Sequence, residues 1–309
     1  MQCKYLLAGG SGYLGQALGR LLRERGHEVV VLTRSRPRRR GDGIREVQWD
    51  PASPEGDWKA ELEGATAVIN LAGSSINAPP TTENRRQILQ TRIDSVRALG
   101  GAFAACRQPP ATWVQASAVG YYGDAGDRRC DEKAPAGTTV LAGICRQWEE
   151  EFASWCPTAV RGVVLRIGVV LGRKGGAYPQ LARAVRRFAG GTAGCGRQGM
   201  SWIHQTDMEL IFLQALDDAT MRGAYNASAP EPVPNAEFMR LMREVLRRPW
   251  SPPVPAFVLR PILRWVVRTD PALVLEGQLV LPARLEEAGY RFRFPRLALA
   301  LADLVDRRR

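Results

Sequence analysis

Gly9, Gly12 and Gly15 stand three residues apart just after the apolar run Tyr5-Leu6-Leu7-Ala8. Glycines so placed bend a chain tightly and leave bare backbone where phosphates can approach. A helix pattern begins at once, with Leu14, Leu18, Leu21 and Leu22 on one face. The start of a helix offers unpaired N–H donors and a partial positive charge. A second apolar run, Val29-Val30-Val31-Leu32, follows. Strand, glycine turn, helix and strand in this order read as the opening of a dinucleotide site. The spacing is G-x-x-G-x-x-G, not the commoner G-x-G-x-x-G. Gly9, Ser11, Gly12, Tyr13, Leu14 and Gly15 are the expected pyrophosphate contacts.

The end of the second strand decides which dinucleotide fits. Sites for NAD usually carry Asp or Glu there, roughly 20 residues past the glycines, to hold the ribose 2′-hydroxyl. Here the strand ends in Thr33-Arg34-Ser35-Arg36. A carboxylate would repel a 2′-phosphate, whereas a guanidinium grips it bidentately. Thr33 and Arg34 therefore point to NADP(H). Arg36 and the run Arg38–Arg40 read as solvated surface.

These residues need a scaffold, and the chain alternates strand and helix over its first two-thirds. Expected strands are Lys4–Ala8, Glu28–Thr33, Arg45–Trp49, Ala67–Leu71, Trp113–Ser117 and Gly162–Ile167. Expected helices are Tyr13–Arg25, Glu83–Cys106, Val140–Trp155 and Gly175–Phe188. A turn-rich break, Asp50-Pro51-Ala52-Ser53-Pro54-Glu55-Gly56, precedes the fourth strand. The pattern predicts an α/β fold, a Rossmann-type doubly wound parallel sheet, over residues 1–228. Repeated prolines around a helix Ala236–Leu246 mark residues 229–309 as a small, mainly helical C-terminal lobe. Leu71, Ala72 and Gly73 end the fourth strand with small side chains that let cofactor lie on backbone. Ile167, Gly168 and Val169 are given the same part near the nicotinamide. Gly190–Gly196 reads as a flexible loop bordering the substrate cleft.

The chain has 309 residues, 45% apolar content and a net charge of +12. That length can bury a large core. The N-terminus enters a strand directly and no run is long enough to span a bilayer. Val254–Val267, broken by Arg260, Pro261 and Arg264, reads as an amphipathic helix. Six scattered cysteines without CxxC pairs, and only His27 and His204, argue against a metal site and for reduced thiols in a cytoplasm. Arginines dominate the positive charge but no nucleic-acid motif accompanies them, so the expected attraction to polyanions is non-specific. Neither a specific nucleic acid nor a membrane is expected as partner.

Several strings together resemble an extended short-chain dehydrogenase/reductase, in its epimerase-family, sugar-nucleotide-epimerase-like branch. They are Gly9–Gly15, Val68–Gly73, Ser117–Gly123, Cys145–Glu149, Arg166–Gly172 and Ser201–Asp207. Glu276-Gly277-Gln278 with Val280-Leu281-Pro282 is similar to that branch's small C-terminal domain. The resemblance covers essentially the whole chain. It implies NADP(H) across the carboxyl ends of the strands, a small-molecule substrate held between core and lobe, and a homodimer through the helices after the fourth and fifth strands.

The resemblance also exposes a gap. Working members pair a Tyr with a Lys four residues later, and the Lys lowers the phenol pKa for proton exchange. Counting back from Glu149, the Lys position holds Cys145 and the Tyr position Leu141. The family's hydroxyl falls on Ser117 or, by ungapped match, on Ala118. Ser117, Tyr121, Tyr122 and Cys145 are the remaining candidates for chemistry, with packing roles as the alternative for Tyr122 and Cys145. His204 is open to orienting a ligand or to a structural role. Three readings of function follow: an NADP(H)-dependent oxidoreductase on a small or sugar-like carbonyl or hydroxyl compound, an NADP(H)-binding regulator, for instance in cell division, without turnover, or a polyanion-binding protein exploiting the arginine surface.

Overall fold

The structure is a computed structural model that describes residues 2–53 and 55–305. Pro54, inside the expected turn-rich break, and the last four residues of the expected lobe lie outside the described residues. Seven parallel strands form one sheet: β1 (Lys4–Ala8), β2 (Glu28–Thr33), β3 (Arg45–Gln48), β4 (Ala67–Asn70), β5 (Thr112–Ala118), β6 (Arg161–Ile167) and β7 (Gly223–Ala227). Their order is β7-β6-β5-β4-β1-β2-β3. The chain winds outward from β1 in both directions, so a crevice opens beyond the carboxyl ends of β1 and β4.

Both faces of the sheet are covered, which is why β1 and β2 are continuously apolar rather than alternating. Helix α1 (Tyr13–Glu24) and α5 (Gln205–Asp217) pack on Tyr5, Leu7, Val29 and Val31. Helices α2 (Thr82–Ala105) and α3 (Val140–Trp155) cover Leu6, Ala8, Val30 and Val68 on the other face. Thr81 caps α2 through Asn84 N–H at 3.1 Å and Thr139 caps α3 through Ala142 N–H at 3.3 Å. Each cap satisfies a donor that the helix start would otherwise leave open.

The observed α4 (Tyr178–Arg186) is shorter than expected, and β7 and α5 were not read from the sequence. The C-terminal region contains α6 (Asn235–Val245), α7 (Ala256–Pro261), a π-helical turn Ile262–Val267, α8 (Ala272–Leu275), α9 (Ala283–Glu287) and α10 (Leu297–Leu304). Its apolar core is shared: Phe238, Met242, Leu297 and Leu301 pack with Tyr178, Ala182 and Val185 of α4. The segment Leu279–Val280 pairs with Arg129–Cys130 and so reaches back to the core.

Candidate active site

The glycine turn is tight because backbone meets backbone. Gly9 has φ +72°, and a Cβ there would lie 2.8 Å from the Ala72 backbone. A side chain at that position would be strained and would also wedge the β1 loop off the β4 loop. A Cβ on Gly15 would come within 2.4 Å of Gly10 Cα, and one on Gly10 within 2.8 Å of Val31. Gly12 is looser, with 3.3 Å to Gly9 O, and forms the N-cap of α1. Sequence spacing singled out Gly9, Gly12 and Gly15; Gly10 is as tightly held and was missed.

Around the turn, Ser11 Oγ lies 3.5 Å from Thr33 Oγ1. The Tyr13 ring packs against Gly172, Gly175 and Gly176, and its hydroxyl donates to Gln205. Burial pushes that phenol up to about 12. Asn70, at the end of β4, donates to Ser95 Oγ and Gln115 Oε1, and its Oδ1 accepts from Ala72 N–H at 3.1 Å. This buried amide fixes the Leu71–Gly73 turn, a role the sequence reading did not find. Arg34 is exposed at the end of β2 and has no ion pair among the described residues. Arg40, by contrast, is engaged by Asp42 at 2.6 Å and Glu46 at 3.5 Å.

The chemistry candidates at the end of β5 prove to be wired into one network. Ser117 Oγ donates to Glu149 Oε1 at 2.6 Å, and Glu149 pairs with Arg166 at 2.8 Å. Arg166 Nη1 donates to the Tyr122 hydroxyl at 2.9 Å, which in turn donates to Asn226 Oδ1 at 2.7 Å. Asn226 Nδ2 continues to Leu281 O at 2.9 Å. Burial pushes the Tyr122 phenol up to about 12 against the opposing pull of Arg166. The Ser117 and Tyr122 hydroxyls are thus spent on internal partners. Glu149 served only as a register mark in the sequence, Arg166 only as the first residue of a family-like string, and Asn226 gave no signal at all.

Cys145 is buried, and burial pushes its thiol up to about 12 although Arg92 pulls the other way. At neutral pH it is a thiol, not the thiolate a nucleophile needs. Tyr121 differs from its neighbour. It is half-buried, the Arg166 guanidinium carbon lies 3.5 Å from its ring centroid, and its hydroxyl has no hydrogen bond among the described residues. Ile167 and Val169 are half-buried, whereas Gly168 is buried and donates to Ala227 O at 2.9 Å. His204 caps α5 by accepting from Thr206 N–H at 3.1 Å and stacks on Phe294, which is a structural role.

A cavity of about 670 Å³ opens beyond β4 and β5, where Pro80, Arg85 and Asp124 face Arg260, Arg264, Trp265, Asp270 and Glu276. Arg85 reaches Asp270 across it at 3.1 Å. Burial raises the Glu276 carboxyl, reinforced by Asp124 and Asp270. The loop Gly190–Gly196 does not line this cavity; Gly191 abuts Pro252 O and Gly194 N–H donates to Val254 O.

Residues 5–228 match the NAD dependent epimerase/dehydratase family, and residues 254–304 match a domain of unknown function, DUF1731. The chain is 36% identical over 306 residues to the chloroplastic epimerase family protein SDR39U1 homolog of Arabidopsis thaliana, covering 97% of this chain and 86% of that protein. It is 34% identical over 302 residues to epimerase family protein YfhF of Bacillus subtilis, with 97% of each covered. The crystal structure of human epimerase family protein SDR39U1 with NADPH superposes with a TM-score of 0.85 at 32% identity, covering 97% of this chain and 98% of that one. The chain belongs to the NAD dependent epimerase/dehydratase family.

Proposed function

We propose that this family member is an NADP(H)-dependent oxidoreductase or epimerase-like protein acting on a small or sugar-like carbonyl or hydroxyl compound. The observation that carries the reading is the glycine cradle at the β1–β4 crevice, where a Cβ at Gly9 or Gly15 would fill space needed for backbone packing and one at Gly10 would meet the Val31 side chain. The residues fit the cofactor: Gly9–Gly15 for the pyrophosphate, Leu71–Gly73 for the bridge, and Arg34 with Thr33 for the 2′-phosphate. NADPH, the ligand of the human relative's structure, supplies a hydride when bound. Substrate would enter by the cavity between Asp124 and Trp265. Tyr121 does not line that cavity but lies three residues before Asp124 in the same segment, so the reacting group would have to reach past the cavity wall toward the end of β5.

Tyr121 is the residue assigned to proton transfer. Of the four candidates it alone keeps a hydroxyl uncommitted beside a cation, since Ser117, Tyr122 and Cys145 are consumed or buried. Tyr121→Phe should lower turnover by about 10²- to 10⁴-fold, the usual share of general acid–base catalysis. NADPH affinity should not change. The assay is NADPH oxidation against a panel of carbonyl compounds, and turnover that survives the substitution rejects the assignment.

A second reading, an NADP(H)-binding regulator without turnover, draws on the same network. The Glu149–Arg166 pair and Tyr122 occupy the strand end where family members place acid–base groups. Tight NADPH binding with no turnover across the panel would favour it.

A further inference from the structure

Residues 247–269 contain five arginines (Arg247, Arg248, Arg260, Arg264 and Arg268) and no aspartate or glutamate. None of these guanidiniums has an ion pair among the described residues. The helical stretch 256–267 buries only Leu263. Phe257 is 78% exposed, Val266 77%, Trp265 74% and Val267 57%, and Trp250, earlier in the same acid-free segment, is 73% exposed. Arg260 and Arg264 lie four residues apart within the helical stretch, and Arg268 follows as its left-handed C-cap. Domains seldom leave so many large apolar side chains together in water without an occupant for them.

The charge pattern selects that occupant. A second copy seated symmetrically on this segment would set arginine against arginine, since residues 247–269 themselves carry no carboxylate. A negatively charged lipid surface satisfies both features, taking aromatic and aliphatic groups at the acyl boundary and guanidiniums at the phosphates. We propose that residues 250–268 are an interfacial anchor that lays this protein on an anionic membrane. No helix among the described residues is long and apolar enough to cross one, so the segment lies in the interface. This revises the expectation of no membrane partner, and it stands apart from the proposed reaction. Because Arg260, Arg264 and Trp265 also line the cavity, docking would set the cavity mouth at the lipid surface.

The test is co-sedimentation of the full chain with vesicles of mixed phosphatidylcholine and phosphatidylglycerol, or of phosphatidylcholine alone, at physiological ionic strength. The wild type should pellet with the mixed vesicles only. Phe257→Ser/Val266→Ser alters two solvent-facing side chains outside the cavity, so its melting temperature should match the wild type. Its vesicle partitioning should fall by roughly tenfold or more, because the inserted apolar area is gone. Equal partitioning of wild type and variant would assign binding to the general basic surface and overturn the proposal. So would no binding to mixed vesicles, or a dimer by light scattering that the variant converts to monomer.

Discussion

The two halves of the candidate site are built from different materials. At the β1–β4 crevice the shape is set by backbone: Gly9, Gly10 and Gly15 let three segments touch, and Asn70 braces the Ala72 turn. At the end of β5 and β6 the shape is set by side chains, with Ser117, Glu149, Arg166, Tyr122 and Asn226 in one chain of hydrogen bonds. A backbone site tolerates little change and keeps its ligand. A side-chain site depends on each partner in turn, from Ser117 through Glu149 and Arg166 to Tyr122.

Breaking the side-chain half should have the largest effect on stability. Glu149→Leu strands Arg166 as an unpaired buried charge and should cost about 3–5 kcal/mol in denaturant unfolding. Adding Arg166→Met should recover much of that loss, since two apolar groups replace the pair. A double variant as unstable as the single one would show that the network acts through more than its charge pairing.

Damaging the backbone half should separate binding from stability. Gly9→Ala places a Cβ 2.8 Å from the Ala72 backbone at φ +72°. It should cost about 1–3 kcal/mol by overpacking and abolish measurable NADPH binding by fluorescence titration. Retained affinity would mean that the crevice yields more readily than its contacts imply.

A smaller effect comes from outside both halves. Burial holds the His204 imidazole below its ordinary value, with Asp303 at 3.4 Å opposing. The unfolded chain protonates near about 6.5, the folded chain lower, so this stability is present above that pH and lost as pH falls. The slope is at most about 1.4 kcal/mol per pH unit. His204→Asn keeps a capping acceptor and should flatten the acid limb of a stability–pH curve.

The same contrast governs what the sequence could reveal. β1, β2 and α1 were legible because their residues are local: an apolar run, glycines, then a leucine stripe. The crevice was legible because the glycine spacing and the end of β2 lie within one stretch. Gly10 escaped notice because the motif spacing emphasises other positions. The Tyr122–Asn226 contact spans 104 residues, and nothing local marks Asn226, which sits in the short strand Gly223–Ala227 that pattern reading also missed. Val254–Val267 reads as one amphipathic helix, but the fold breaks it into α7 and a π-helical turn that together bury only Leu263.

The central claim is that the β1–β4 crevice is an NADP(H) site with Arg34 at the 2′-phosphate. Calorimetric titration of wild type and Arg34→Ala with NADPH and NADH tests it most directly. The account predicts that the wild type prefers NADPH, and that removing the exposed, unpaired guanidinium costs about 1.5–3 kcal/mol of NADPH binding while leaving NADH affinity unchanged. Equal affinity of the wild type for the two nucleotides would contradict it.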